Sequence, residues 1–278
     1  MPDVQTQEDY WNSETGDFWA EEADRLDAIL APFLDLILAP LKGETYGHIA
    51  DLGCGAGALT LAAAQQQGAG TKLTGLDLSG QMLAVAEQRA AAAGLSMTFV
   101  QGDATAAELD PPIDALISRF GIMFFEEPLP AYQKLHAKMA PCGLFSAVCW
   151  QEMLKNQWLS LPLQSVLPLL DAPPEKPDPH APGPFAFADK ARVTGILTEA
   201  GFKEVAMEPW EGTLTLPGDT LEEASAFMVY MGPVKSLIRE RGLDPEKAQT
   251  AVAKAIDAAC GAAPFKLGAA VWHVTANA

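Results

Sequence analysis

One run of ten residues, His48-Ile49-Ala50-Asp51-Leu52-Gly53-Cys54-Gly55-Ala56-Gly57, constrains this chain more than any other. Short apolar residues end on an acid, and glycines then fill alternate positions. Such a run reads as a strand entering a tight turn that opens a helix. Glycine takes positive φ there without a Cβ clash and lets backbone come close to a ligand. The result is a small-molecule cradle at the carboxyl end of a parallel strand, where open α/β sheets bind their ligands.

The rhythm continues downstream. Residues 72–76, 96–101, 113–118 and 144–150 read as further strands, and 58–67, 80–93 and 128–139 as helices, the second closed by Gly94. This alternation predicts a parallel sheet covered on both faces, with right-handed crossovers that bring the strands' carboxyl ends to one edge. Residues 1–45 form a helical cap on this reading, and 46–150 form the core. The stretch 151–186 holds Pro162, Pro168, Pro173, Pro174, Pro177, Pro179, Pro182 and Pro184, and reads as a lid or binding loop. Residues 187–278 complete the sheet: a helix at 187–199, a strand at 204–210, two cap helices at 221–241 and 245–260, and a closing strand at 269–275.

Charge narrows the partners. A formal net charge of −18 repels phosphate backbones and anionic headgroups, which argues against nucleic acid and membrane surfaces. The longest apolar candidate, 28–41, is broken by Pro32, Asp35 and Pro40, and the acidic start lacks a secretory pattern. Cys54, Cys142, Cys149 and Cys260 form no paired C-x-x-C, so neither a disulfide framework nor a zinc site is expected, and no metal. Scattered thiols suit a reducing cytoplasm.

Two cofactor readings fit the glycine turn. Gly53, Gly55 and Ala58 satisfy the dinucleotide pattern G-x-G-x-x-A, with Asp77 in place as its acid. Against hydride transfer, no tyrosine is followed by Lys at the fourth position, as short-chain dehydrogenases require. For the other reading, acids close three successive strands: Asp51, Asp77 in Gly75-Leu76-Asp77-Leu78-Ser79, and Asp103 in Val100-Gln101-Gly102-Asp103-Ala104. With these residues the chain resembles the class I S-adenosylmethionine-dependent methyltransferases. That resemblance implies a Rossmann-like, doubly wound α/β sheet of seven mostly parallel strands with helical cap insertions.

It also implies roles. Gly53, Gly55 and Gly57 would pack against the methionine part of S-adenosyl-L-methionine, with Asp51 and Cys54 among the further cofactor-binding residues. Asp77 would accept from both ribose hydroxyls, as one carboxylate suits two vicinal donors. Leu78 and Met82 would line the adenine, and Gly102, Asp103 and Ala104 would meet its polar edge. The runs 118–125 and 139–145, with Tyr10-Trp11-Asn12 and Trp19, are similar to ubiquinone and menaquinone C-methyltransferases, small-molecule enzymes. In such enzymes Ser118, Arg119 and Phe120 lie beside the cofactor, and an aromatic amino-terminal helix closes over it, here with Tyr10 and Trp19.

A sulfonium methyl is already activated, so a base is needed only where the acceptor arrives protonated. His180, in the proline-rich stretch, is the candidate base, and Arg119 a candidate to grip an acceptor carboxylate or phosphate. His136, between Lys134 and Lys138, reads as solvated, while His48 and His273 read as structural. Asp110-Pro111-Pro112-Ile113 precedes its strand and ends on an aliphatic residue, which disfavours amide or adenine N-methylation. A partly apolar or aromatic acceptor is expected from Trp150, Trp158, Phe185, Phe187, Phe227, Met228, Tyr230 and Met231. The alternatives are an NAD(P)-binding oxidoreductase and a cofactor-binding protein without catalysis.

Overall fold

A computed structural model of the chain describes residues 6–109, 112–175 and 178–278. Asp110 and Pro111 of the proline run and Pro177 of the proline-rich stretch lie outside these. Among the described residues the amino-terminal cap is built of four short α-helices, α1 (Gln7–Trp11), α2 (Glu14–Glu21), α3 (Ala23–Leu30) and α4 (Pro32–Leu38). Local chemistry punctuates them: Thr6 and Asp9 form a reciprocal cap on α1, Ser13 caps α2, and Pro32 opens α4.

The core then alternates as the sequence predicts: β1 (His48–Leu52), α5 (Ala58–Gln67), β2 (Lys72–Asp77), α6 (Gly80–Ala92), β3 (Thr98–Gln101), β4 (Ile113–Arg119), α7 (Pro128–His136) and β5 (Met139–Trp150). Every residue of β1 is buried, as a central strand covered on both faces requires. The stretch read as a loop from its prolines contains a helix, α8 (Gln157–Val166), which carries Pro162 inside it. There follow α9 (Lys190–Glu199), β6 (Lys203–Thr215), α10 (Leu221–Val229), α11 (Gly232–Arg241), α12 (Pro245–Cys260) and β7 (Lys266–Asn277). The single helix expected over 221–241 is two, because Gly232-Pro233 starts α11 with a proline that cannot continue α10.

Among the described residues, seven strands form one sheet in the order β3-β2-β1-β4-β5-β7-β6. Pairs β1–β2, β1–β4, β2–β3 and β4–β5 are parallel. β7 runs against β5: Cys142 and Ala278 pair at one end, Gln151 and Ala270 at the other. The chain winds outward from β1 to β3, returns to β4, and winds the other way. The carboxyl ends of β1 and β4 therefore meet at the topological switch point.

The chain divides into two compact units. One comprises the described residues up to Cys149, with His180–Pro209 and Trp272–Ala278; its core includes Tyr132, Phe145, Phe187 and Phe202. The other comprises Trp150–Pro179 and Trp210–Val271, where α8, α10, α11 and α12 pack together around Trp158, Met228, Val252 and Ile256.

Candidate functional site

The glycine turn has the backbone its composition predicts. Gly53, Gly55 and Gly57 stand at φ of 66°, 53° and 81°, and Gly57 is the left-handed N-cap of α5. A Cβ on Gly53 would lie 2.7 Å from Gly121 Cα, and one on Gly121 2.2 Å from Leu52 O. The turns after β1 and β4 are thus in direct backbone contact. Ser118 rivets them: its hydroxyl donates to Leu52 O at 2.6 Å and accepts from Gly121 N–H at 3.1 Å. Phe120, left-handed at φ 68°, stacks edge-on against Phe33 at 5.3 Å.

The three strand-end acids differ sharply. Asp77 accepts from Gly55 N–H at 2.8 Å and Ser79 N–H at 2.9 Å, so it braces the glycine turn against the start of α6. Burial raises its pKa, opposed by those backbone donors. Asp51 is 1% exposed. Thr60 donates to its Oδ2 at 2.6 Å, while Oδ1 is buried with no partner. Burial pushes its pKa up to about 7, against the pull of Thr60 and Arg119. Asp103 is exposed and accepts from the N–H and hydroxyl of Thr105, both at 2.8 Å, a turn that its own neighbours complete. Gly102 joins this rim by donating its N–H to Asp77 O at 2.9 Å, and Ala104 is buried.

Cys54 points its thiol over Gly75, where a Cβ would come within 2.8 Å of the sulfur. Burial and the nearby Asp51 and Asp77 raise its pKa well above the usual range, so it packs rather than attacks.

The amino-terminal helices cover this rim. Trp19, Ala20 and Ala23 pack with Ala56 of the glycine turn and with Met82. Trp11 meets Tyr10, Trp19 and Phe124 edge-on at 5.4, 5.9 and 5.3 Å. Asn12, to which the Tyr10-Trp11-Asn12 run assigned no role, ties the cap down: its amide donates to Leu78 O at 2.9 Å and accepts from Gly80 N–H at 3.1 Å. Asp27 on α3 joins two cations, pairing with Arg119 and with Arg89 at 2.7 Å. Arg89 also pairs with Asp24 and donates to Ala56 O at 2.9 Å. The ion-paired partners are separated by 62 to 92 residues, so no local pattern could have found them.

Of the histidines, His136 departs from expectation. His180 lies on an exposed turn, three residues before Gly183, whose N–H donates to Met123 O at 3.2 Å just after β4. His136 is not solvated: its ring packs edge-on against Phe202 at 5.0 Å, and its Nε2 is buried. The absence of a side chain at Gly201 admits the ring. His48 Nε2 pairs with Thr74 Oγ1 at 2.9 Å, and His273 Nε2 with Ser146 Oγ at 3.2 Å. Of the aromatics expected to face an acceptor, Trp150, Trp158, Phe187, Phe227, Met228 and Met231 are core side chains, whereas Tyr230 is 50% exposed. Among the described residues no helix is long and apolar enough to cross a membrane, and no cluster of His, Cys, Asp or Glu could hold a metal.

Comparison with known proteins bears on this geometry. Residues 49–143 match the family described as "Methyltransferase domain". Demethylmenaquinone methyltransferase of Staphylococcus epidermidis is 28% identical over 172 residues, 58% of this chain and 70% of that protein. Haemonchus contortus phosphoethanolamine N-methyltransferase 2, solved with S-adenosylhomocysteine and phosphomonomethylethanolamine, superposes with a TM-score of 0.58 at 17% identity, covering 100% of this chain and 61% of that one. The [4+2]-cyclase SpnF superposes at 0.55 and 16% identity, over 99% and 97% of the two chains. At such identities the likeness is one of fold, and a fold shared with a cyclase leaves chemistry to the residues of the site.

Proposed function

The chain belongs to the class I S-adenosylmethionine-dependent methyltransferases, and on that premise we propose that the rim formed by Asp51, the Gly53–Gly57 turn, Asp77 and Asp103 holds the cofactor for methyl transfer to a small, partly apolar acceptor. The carrying observation is Asp51 Oδ1, a buried acceptor with no partner beside a glycine turn. A buried carboxylate of this kind fits a cationic head group, and the ammonium of S-adenosylmethionine is one.

When bound, the cofactor supplies a methyl group activated by its sulfonium. The chain's part is to bind, orient and exclude water. Asp77, already oriented by Gly55 and Ser79, presents its carboxylate for the ribose hydroxyls. Leu78 and Met82 would flank the base, with Gly102, Asp103 and Ala104 at its polar edge. Cys54 and Ser118 shape the turn that would hold the methionine part, and Phe120 would lie beside it. Tyr10 and Trp19 on the packed amino-terminal helices shield the site from water. His180 is the proposed proton acceptor for substrates that arrive protonated, on the segment that Gly183 ties to the β4 turn. An apolar or aromatic acceptor is supported by the aromatic rim around Trp11 and by a relative named for demethylmenaquinone.

Calorimetry tests the cofactor: S-adenosylhomocysteine is expected to bind and NADH not. Methyl transfer from labelled S-adenosylmethionine is then read across hydroquinones, phenols, amines, thiols and carbon acids. Transfer confined to polar amines, or to none, would overturn the proposed acceptor class.

A further inference from the structure

Arg119 ends β4 at the switch point. The register Asp51↔Ile117, carried two residues on, sets it level with Gly53. Its side chain is 13% exposed. One guanidinium nitrogen, Nη2, is locked on Asp27, whereas Nη1 is buried and has no partner. A planar guanidinium fixed along one edge presents its other edge in a defined direction. Arg119 also bears electrostatically on Asp51, so the free donor lies within the field of the proposed cofactor rim.

The surrounding charges sharpen this. Asp24, Asp27, Arg89 and Arg119 form one connected set, two acids with two bases, and it is balanced before any ligand arrives. A sulfonium cofactor adds positive charge to that rim. An ionised oxygen is the complement of both the added charge and the unused donor. Because Nη1 is already out of water, an oxygen reaching it gains a charge-assisted hydrogen bond without a further desolvation cost on the protein side.

We propose that Arg119 is an oxyanion anchor: Asp27 holds one edge, and Nη1 takes a carboxylate, phenolate or enolate oxygen of a ligand at the switch point. This rests on the methyltransferase reading above. Two ligands can bring such an oxygen: an acidic aromatic acceptor, and the carboxylate of the cofactor's own amino-acid head.

The test uses the full chain and two variants, Arg119→Met and Asp27→Asn. In one arm, protein saturated with S-adenosylhomocysteine is titrated with 2-naphthoate and its neutral isostere 2-naphthamide. In the other, S-adenosylhomocysteine is titrated alone and compared with 5′-methylthioadenosine, which lacks the amino-acid head. If the acceptor supplies the oxygen, wild type prefers naphthoate at least tenfold, Arg119→Met loses that preference, and nucleoside affinities move less than threefold. If the cofactor supplies it, Arg119→Met weakens S-adenosylhomocysteine at least tenfold and leaves methylthioadenosine within threefold.

Asp27→Asn separates anchoring from mere support. It removes the partner's charge while Arg119 keeps its own, so oxyanion affinity in the responding arm holds or rises. A role confined to bracing the cap makes both variants fall together, on charged and neutral probes alike, and that result overturns the proposal. No preference in either arm, including no binding of either naphthalene probe together with unchanged nucleoside affinities, overturns it too. Failure to bind S-adenosylhomocysteine at all in wild type overturns the cofactor reading as well, so the two failures are distinguishable.

Discussion

The two ends of one rim are built on opposite principles. At β2, Asp77 is satisfied before a ligand arrives, with a backbone N–H from the glycine turn on one oxygen and one from the start of α6 on the other. At the β1–β4 junction, Asp51 and Arg119 are each half-satisfied, with one polar atom paired and one buried without a partner. The first end is preorganised, so a ligand there adds bonds to a set geometry. The second carries unpaired groups at a cost to the free protein, and a ligand of matching charge recovers that cost. Selectivity for a charged head group is therefore expected to lie at β1–β4, and orientation of the nucleoside at β2.

The largest break in this comparison is Gly121→Ala. Its Cβ would sit 2.2 Å from Leu52 O, a backbone atom that cannot yield without separating the β1 and β4 turns. A loss of about 3 kcal/mol in unfolding free energy, at the upper end for overpacked sites, is expected by denaturant titration. A loss below ~1 kcal/mol would show that the junction is softer than its contacts imply.

Next is Asp77→Ala. It removes the brace and the proposed ribose contact together, and should weaken S-adenosylhomocysteine by about 1.5–3 kcal/mol, the scale of charge-assisted hydrogen bonds. Unchanged affinity would remove Asp77 from the ribose role.

The junction is expected to report its pKa. Burial raises Asp51 to about 7 in the free protein, and the proposed cationic head group would bind its ionised form. Below that pH the carboxyl must lose a proton on binding, so affinity falls as pH drops, by at most about tenfold per unit. Above it the dependence flattens. Asp51→Asn should flatten the acid limb, and a wild-type profile level from pH 5 to pH 7.5 would argue against the ammonium contact. The stability of the free protein runs the other way. A carboxyl raised in the folded state contributes stability at low pH that is lost as pH rises from its ordinary value of 3.8 to about 7.

The smallest effect is expected from Asn12→Ala. Its bonds to Leu78 and Gly80 are exposed, so stability should change by less than ~1 kcal/mol. Dissociation of S-adenosylhomocysteine, measured by stopped flow, should still quicken severalfold if the cap closes over the β2 end.

Much of this was readable along the chain. The bounds of β1 and α5, 48–52 and 58–67, are those expected from alternation and from the glycines between them, because strand, turn and helix signals there agree. Agreement failed where a single residue type dominated the reading. Proline marked 151–186 as a loop, yet α8 forms through Pro162, with Trp158 and Leu159 buried on it. Packing there outweighs propensity. Residues 1–45 read as a helical cap, but Ser13 and Pro32 punctuate it into short pieces, and Asn12 and Asp27 meet different parts of the rim.

By itself the sequence determined the sheet, the turn and the acids at the strand ends, since each follows from the backbone preferences of residues within a few positions of one another. Which of those acids is spent on its own turn, which is left with an unpaired oxygen, and that Arg119 meets Asp27 from 92 positions away, were decided only by the tertiary structure. The reason is physical. Hydrogen-bond partners and desolvation belong to positions in space, and nothing local encodes which distant side chain will share them.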